Sequence, residues 1–318
     1  CGVAAHALMP GVGVRTWGIL HSLAALILVL AGRYGLFERV MKLLIAVMVA
    51  TLLASVALIG PDVMEILGGL VPHLPRRSAV AVLSLMGGVG GSVTLLSYGY
   101  WIRERGWSGS AVVGRVRVDL AVGYAITGLF GAAMLVLAAS TLAGSGGMPA
   151  GSQGLVACAD AVGEAAAGRF GGSSGRAVRL VFLVGIWGAV FTSTLGVWQG
   201  VPYLFNDFVN TLRGRSETVD VRSGIYRGYL LFLAIPPMAM LFLDRPIWVI
   251  KLYTLTGGLF MPMLAASLLW LNSRRRLVGS SRNGLWSTSA LVIALVLFVL
   301  IAVRQLIELL DITPNWIR

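Results

Sequence analysis

The sequence predicts an all-α polytopic membrane protein, and three observations carry that prediction. Of 318 residues, 57% are hydrophobic and only 12% charged, with a mean hydropathy of +0.86. Soluble domains carry about twice that charged fraction. Apolar windows of about 20 residues, long enough to cross a bilayer as helices, recur from one end of the chain to the other. The basic residues concentrate between those windows, in every second linker. A net charge of +12 therefore reads as membrane orientation, not as a nucleic-acid surface.

Eight spans follow in order, at about 17–31, 43–59, 79–102, 118–142, 178–201, 226–243, 247–271 and 285–302. The first two are short and extend into flanking residues if they cross fully. Fifteen of the 25 basic residues fall in four alternate linkers. These carry Arg33, Arg39 and Lys42; Arg103, Arg105, Arg115 and Arg117; Arg213, Arg215, Arg222 and Arg227; and Arg274, Arg275, Arg276 and Arg282. By the positive-inside rule these linkers are cytoplasmic. Arg274–Arg276 read as a cytoplasmic anchor, with a lipid-headgroup contact as the lesser alternative. The first span then runs from outside to inside and the chain opens on Cys1, so the expectation is a fragment that starts mid-protein. The one long linker, about 143–176, is rich in Gly, Ser and Ala and lies outside. It reads as a mobile external loop in which 156–168 could form a short helix. No separate soluble domain emerges, so residues 1–318 are expected to form a single transmembrane domain.

The third span is the informative one. Gly87-Gly88-Val89-Gly90-Gly91-Ser92 interrupts its centre, and each glycine costs about 1 kcal/mol of helix relative to Ala. Non-helical backbone survives at membrane depth only where it is buried in protein or lines a cavity. Discontinuous helices of this kind build the midplane sites of secondary transporters. The competing reading is close helix packing, since Gly87 and Gly91 form a GxxxG pair. Four glycines in five positions are more than packing requires. An interrupted helix with two half-helices tilted apart is therefore expected over 87–92.

All thirteen Asp and Glu residues fall in linkers or at span ends, and none at mid-membrane depth. A bound cation would need a carboxylate from elsewhere, whereas a neutral substrate would need none. His21 and His73 lack a ligand partner at i+3 or i+4, and structural roles suit them better. Cys1 and Cys158 form neither a disulfide framework nor a CxxC pair. No Ser/His/Asp, Cys/His or paired-carboxylate constellation falls within the spans, so nothing points to an enzyme or to a resident cofactor.

Three landmarks in order resemble the natural resistance-associated macrophage protein (NRAMP) family of divalent metal transporters. They are Gly32-Arg33-Tyr34 with Phe37-Glu38-Arg39-Val40-Met41-Lys42, the glycine-broken span ending Trp101-Ile102-Arg103-Glu104, and Thr256-Gly257-Gly258-Leu259-Phe260-Met261-Pro262. The resemblance implies a leucine-transporter-like inverted-repeat fold, with helices four to eleven present and the first three missing. The metal-binding Asp-Pro-Gly-Asn stretch of helix one would be missing with them, in keeping with the absent midplane acid. Transport by the chain alone is then expected to be poor.

Departures from the family pattern narrow the reading. Manganese and iron transporters of the family carry Ala-x-x-Met-Pro-His-Asn on helix six, with a second His four residues after the Asn. Anchored on Glu104, those positions hold Gly88, Gly91, Ser92, Val93, Thr94 and Tyr98 here. Anchored on Pro262, the helix-ten Gln and Asn fall at Thr254 and Gly257. The soft thioether and both imidazoles are absent, and oxygen ligands with water suit Mg²⁺, Ca²⁺ and Mn²⁺. This pattern is similar to the NRAMP-related magnesium transporters. Loss of the histidines removes the titratable groups near neutral pH, so transport without proton coupling is expected.

The resemblance thus implies metal contacts from Gly88, Gly91, Thr94 and Thr254, with Ser92, Tyr98 and Gly257 as lesser candidates. Mg²⁺ or Mn²⁺ would be a transported substrate, in an integral protein of the plasma membrane. A proton-coupled Mn²⁺ or Fe²⁺ transporter of the same family is the first alternative. A non-transporting truncated membrane fragment or interaction subunit is the second.

Overall fold

The computed structural model describes residues 1–31, 34–69, 92–108, 112–142, 152–215, 219–242, 246–279 and 282–312. Twelve helices lie among the described residues. They are α1 (Gly2–Leu8), α2 (Val14–Leu30), α3 (Tyr34–Ile59), α4 (Val63–Gly69), α5 (Ser92–Glu104) and α6 (Val112–Leu142). After these come α7 (Ser152–Phe170), α8 (Gly172–Leu212), α9 (Gly224–Met240), α10 (Pro246–Ser273), α11 (Arg275–Val278) and α12 (Leu285–Ile312). Wherever the expected spans are described they lie on helices, apart from Ala31, Leu241 and Phe242 at span ends. Tyr34–Ile59, Val112–Ser140 and Gly172–Leu212 are long and apolar enough to cross a membrane, and Val14–Leu30, Phe260–Ser273 and Leu285–Leu300 are shorter apolar stretches. Residues 70–91, with most of the glycine-broken span, lie outside the described residues.

The chain divides into two compact units, Cys1–Val71 with Leu96–Leu243, and Pro72–Leu95 with Asp244–Arg318. In the first, α8 is the central element. Its 41 residues extend about 60 Å at 1.5 Å per residue, roughly twice the thickness of a hydrocarbon core. One half packs Val178, Phe182, Leu183 and Ile186 against Leu52 of α3, Leu137 of α6 and Val162 of α7. The other half packs Leu195, Trp198 and Tyr203 against Val29 of α2, Phe37 and Leu44 of α3, and Leu230 of α9. Within a bilayer, where lipid tails are as apolar as these side chains, close van der Waals packing of the helices supplies the favourable term.

The linker read as a loop is in large part helix α7. Ala159, Val162 and Ala166 on one α7 face are fully buried. Small residues let the two backbones close up: a Cβ on Gly175 would stand 2.6 Å from the Gly163 carbonyl oxygen. The composition that suggested low complexity is thus what tight helix packing needs. Arg179 closes the hairpin with a 2.6 Å ion pair to Asp160. At the end of α3, Gly60 has a φ of +58°, and the Arg169 guanidinium donates to the carbonyls of Ile59 and Gly60 at 2.6 and 3.0 Å. The arginine satisfies the carbonyls that a helix leaves open at its C-terminus.

His21 has the structural role its isolation suggested. Trp187 Nε1 donates to His21 Nε2 at 2.6 Å, and an indole nitrogen is a donor only. Nε2 is therefore the acceptor, and Nδ1 donates to the Trp17 carbonyl at 2.6 Å. Phe191 meets the same ring edge-on, so His21 locks α2 to α8.

In the second unit, α10 and α12 pack along each other and the short α11 joins them. The backbone N–H of Asn283 donates to the Asn272 carbonyl at 3.2 Å and clips the two helix ends together.

Candidate functional site

Of the residues singled out in the sequence, Gly88 and Gly91 lie outside the described residues. Ser92 and Thr94 fall in the first turn of α5, on helical backbone. Thr254 and Gly257 are one turn apart on α10. Four residues beyond Gly258, Pro262 lies inside the helix and has no N–H, so the Gly258 carbonyl loses its usual intrahelical donor. Gly257, Gly258 and Pro262 together make this the weak stretch of α10. Among the described residues no group of three or more His, Cys, Asp and Glu could hold a metal.

Tyr98 falls in the first unit. It is partly buried, and its hydroxyl donates to Asp119 of α6 at 2.7 Å. The same neighbourhood holds a set of polar links that the sequence reading did not single out. Trp101 Nε1 donates to Gln199 Oε1, the Tyr100 hydroxyl donates to Asp207 at 2.6 Å, and the Tyr203 hydroxyl donates to Glu104. Positions 97, 100, 101 and 104 form one face of α5, and 199, 203 and 207 form one face of α8, by helical spacing. Between the two faces, Gly200 admits Ser97, whose Oγ would lie 2.6 Å from a Cβ at that position. The 3–4 spacing of polar and aromatic residues on both helices was the available signal.

Beyond the helix, Arg105 pairs with Glu38 at 2.6 Å, and Glu38 also takes Lys42 at 2.7 Å. These bonds gather the α2–α3, α5–α6 and α8–α9 junctions at one end of the first unit. That is the grouping the Arg-rich linkers required. At the opposite end, Arg169 and the start of α8 join α3, α1 and α7. A cavity of about 240 Å³ lies at the Arg-rich end, walled by Tyr34, Phe37 and Met41 of α3 and by Tyr98 and Trp101 of α5. Glu38, Lys42, Arg105 and Asp119 also line it. Aromatic walls with balanced charges can admit water beside the part of α5 that carries Tyr98 and Trp101.

The helices, their apolar lengths and the alternation of charge define an integral, all-α polytopic membrane protein. The chain belongs to the family described as natural resistance-associated macrophage protein-like, whose model matches residues 1–308. Its members are transporters rather than enzymes, and their function class is divalent metal transport. No curated protein matches the chain.

Proposed function

We propose that this protein carries a divalent cation inward across the plasma membrane, with Mg²⁺ as the preferred ion and without coupling to protons. One observation carries the choice of ion. By the resemblance, anchored on Glu104, Gly91, Val93 and Tyr98 fall where manganese and iron transporters of this family hold Met, His and His. Without a thioether the site favours hard, oxygen-seeking ions, and the space a Met would fill accommodates an ion that keeps part of its hydration shell. The carbonyls of Gly88 and Gly91 and the hydroxyls of Thr94 and Thr254 act on the ion, largely through water. Ser92 and Gly257 are the lesser contacts beside them.

Residues 1–318 act as one transmembrane domain in a leucine-transporter-like inverted-repeat arrangement. The Arg-rich end of the first unit faces the cytoplasm. Support for that orientation comes from three Arg-rich junctions meeting at one end of the unit. Inward flow needs no proton, since the inside-negative potential supplies about 2.3 kcal/mol per charge at 100 mV.

The test is uptake into cells expressing the full-length protein, with cytosolic Mg²⁺ and pH followed together. The expected result is Mg²⁺ entry with no accompanying acidification. Metal entry accompanied by stoichiometric acid entry, with Mn²⁺ preferred, would establish the proton-coupled alternative.

A further inference from the structure

We propose that the corner between α10 and α12 is a docking site for the headgroups of anionic phospholipids. The argument starts from charge balance. Three of the four Arg-rich linkers have acids close by: Glu38 in the first, Glu104 and Asp119 in the second, and Asp207, Glu217 and Asp220 in the third. The fourth has none, because no Asp or Glu occurs between Asp244 and Glu308. Arg274, Arg275, Arg276 and Arg282 are all exposed, and no ion pair to any of them occurs among the described residues. A cluster of four guanidinium groups with no carboxylate in its own linker and no ion pair among the described residues can draw its countercharge from outside the chain. Arginine forks match phosphate oxygens geometrically.

The surroundings identify that anion as part of a lipid. Trp270 and Trp286, at the end of α10 and the start of α12, flank the arginines and are 54% and 89% exposed. Indole rings at the two ends of a basic run mark the headgroup level of a membrane. Arg274 lies over the Trp270 ring, 4.1 Å from its centroid, which holds its guanidinium at that level. Leu277, also exposed, is the apolar residue of α11 beside Arg275 and Arg276. A short segment with a leucine among arginines suits the boundary between headgroups and acyl chains. The Asn283–Asn272 backbone bond keeps Arg282 near Arg274–Arg276, so the charges converge on one headgroup region.

The test is native mass spectrometry of the whole chain in neutral-detergent micelles supplied with phosphatidylglycerol or phosphatidylcholine. The wild type should retain phosphatidylglycerol in preference to phosphatidylcholine. The Arg274→Gln/Arg275→Gln/Arg276→Gln variant should lose at least about tenfold in phosphatidylglycerol retention, given the strength of each basic contact with an anionic surface. The Lys version of the same triple variant keeps the charge without the fork, should lose clearly less than the Gln version, and serves as the folding control. An Arg213→Gln/Arg215→Gln/Arg222→Gln variant removes equal charge from the acid-containing linker and should change retention less than twofold. Inorganic phosphate at 10 mM should not displace the lipid. Equal retention of both lipids by the wild type would overturn the proposal. So would equal loss in the two Gln variants, or displacement by phosphate, which would make this a free-anion site.

Discussion

Gly200 is the residue on which the α5–α8 crossing depends. A Cβ there would meet Ser97 Oγ at 2.6 Å and Ser97 Cβ at 2.9 Å, closer than packed atoms come. Gly200→Val should therefore destabilise the folded chain by about 1–3 kcal/mol. The readout is a lower melting temperature in detergent, with Gly196→Val, which has open space around it, as the comparison. A melt unchanged by Gly200→Val would mean that the two helices are not held this closely. Cys158 gives a second residue-scale prediction. It is 3% exposed, and burial raises its thiol pKa, which lowers the thiolate fraction available at neutral pH. Maleimide should label it at least tenfold more slowly in the folded protein than after unfolding in denaturing detergent. Fast labelling of the native chain would place α7 away from α8.

Among the elements, the broken span makes the sharpest prediction. Backbone amides of residues 87–92 should exchange with deuterium far faster than those of α5 after its first turn, because glycines at membrane depth leave hydrogen bonds open. Uniform protection through 79–101 would instead make the glycines a packing surface. A second prediction concerns Arg105 and Glu38, both partly exposed. Reversing either charge should weaken transport, and reversing both should restore it in part, with a coupling of at most about 1 kcal/mol. Absence of rescue would detach this pair from the positioning of α5.

The spans were legible in the sequence because a 20-residue apolar window has few rival explanations. Helix α7 was only half legible. Its Ala and Gly residues carry a weak hydropathy signal, and small residues suit a tight interface as well as a flexible linker. The Trp101–Gln199 and Tyr203–Glu104 links were illegible in practice, since their partners lie 98 and 99 residues apart and only the tertiary fold unites them. For the expected metal contacts, sequence resemblance named the positions, and two of them, Gly88 and Gly91, lie outside the described residues.

For the whole molecule, family membership establishes divalent metal transport as the function class, and the preference for Mg²⁺ is our proposal from the chemistry of a few positions. The direct measurement is competitive uptake of Mg²⁺, Mn²⁺ and Cd²⁺ by cells expressing the full-length protein or its Gly91→Met variant at matched membrane abundance. A thioether at position 91 supplies a soft ligand and occupies the room a hydrated Mg²⁺ needs. The account predicts that the wild type favours Mg²⁺ and that Gly91→Met shifts preference towards Mn²⁺ and Cd²⁺ by about tenfold or more, the worth of roughly 1.4 kcal/mol. Unchanged selectivity in a variant that inserts normally, or a wild type that already prefers Cd²⁺, would contradict it.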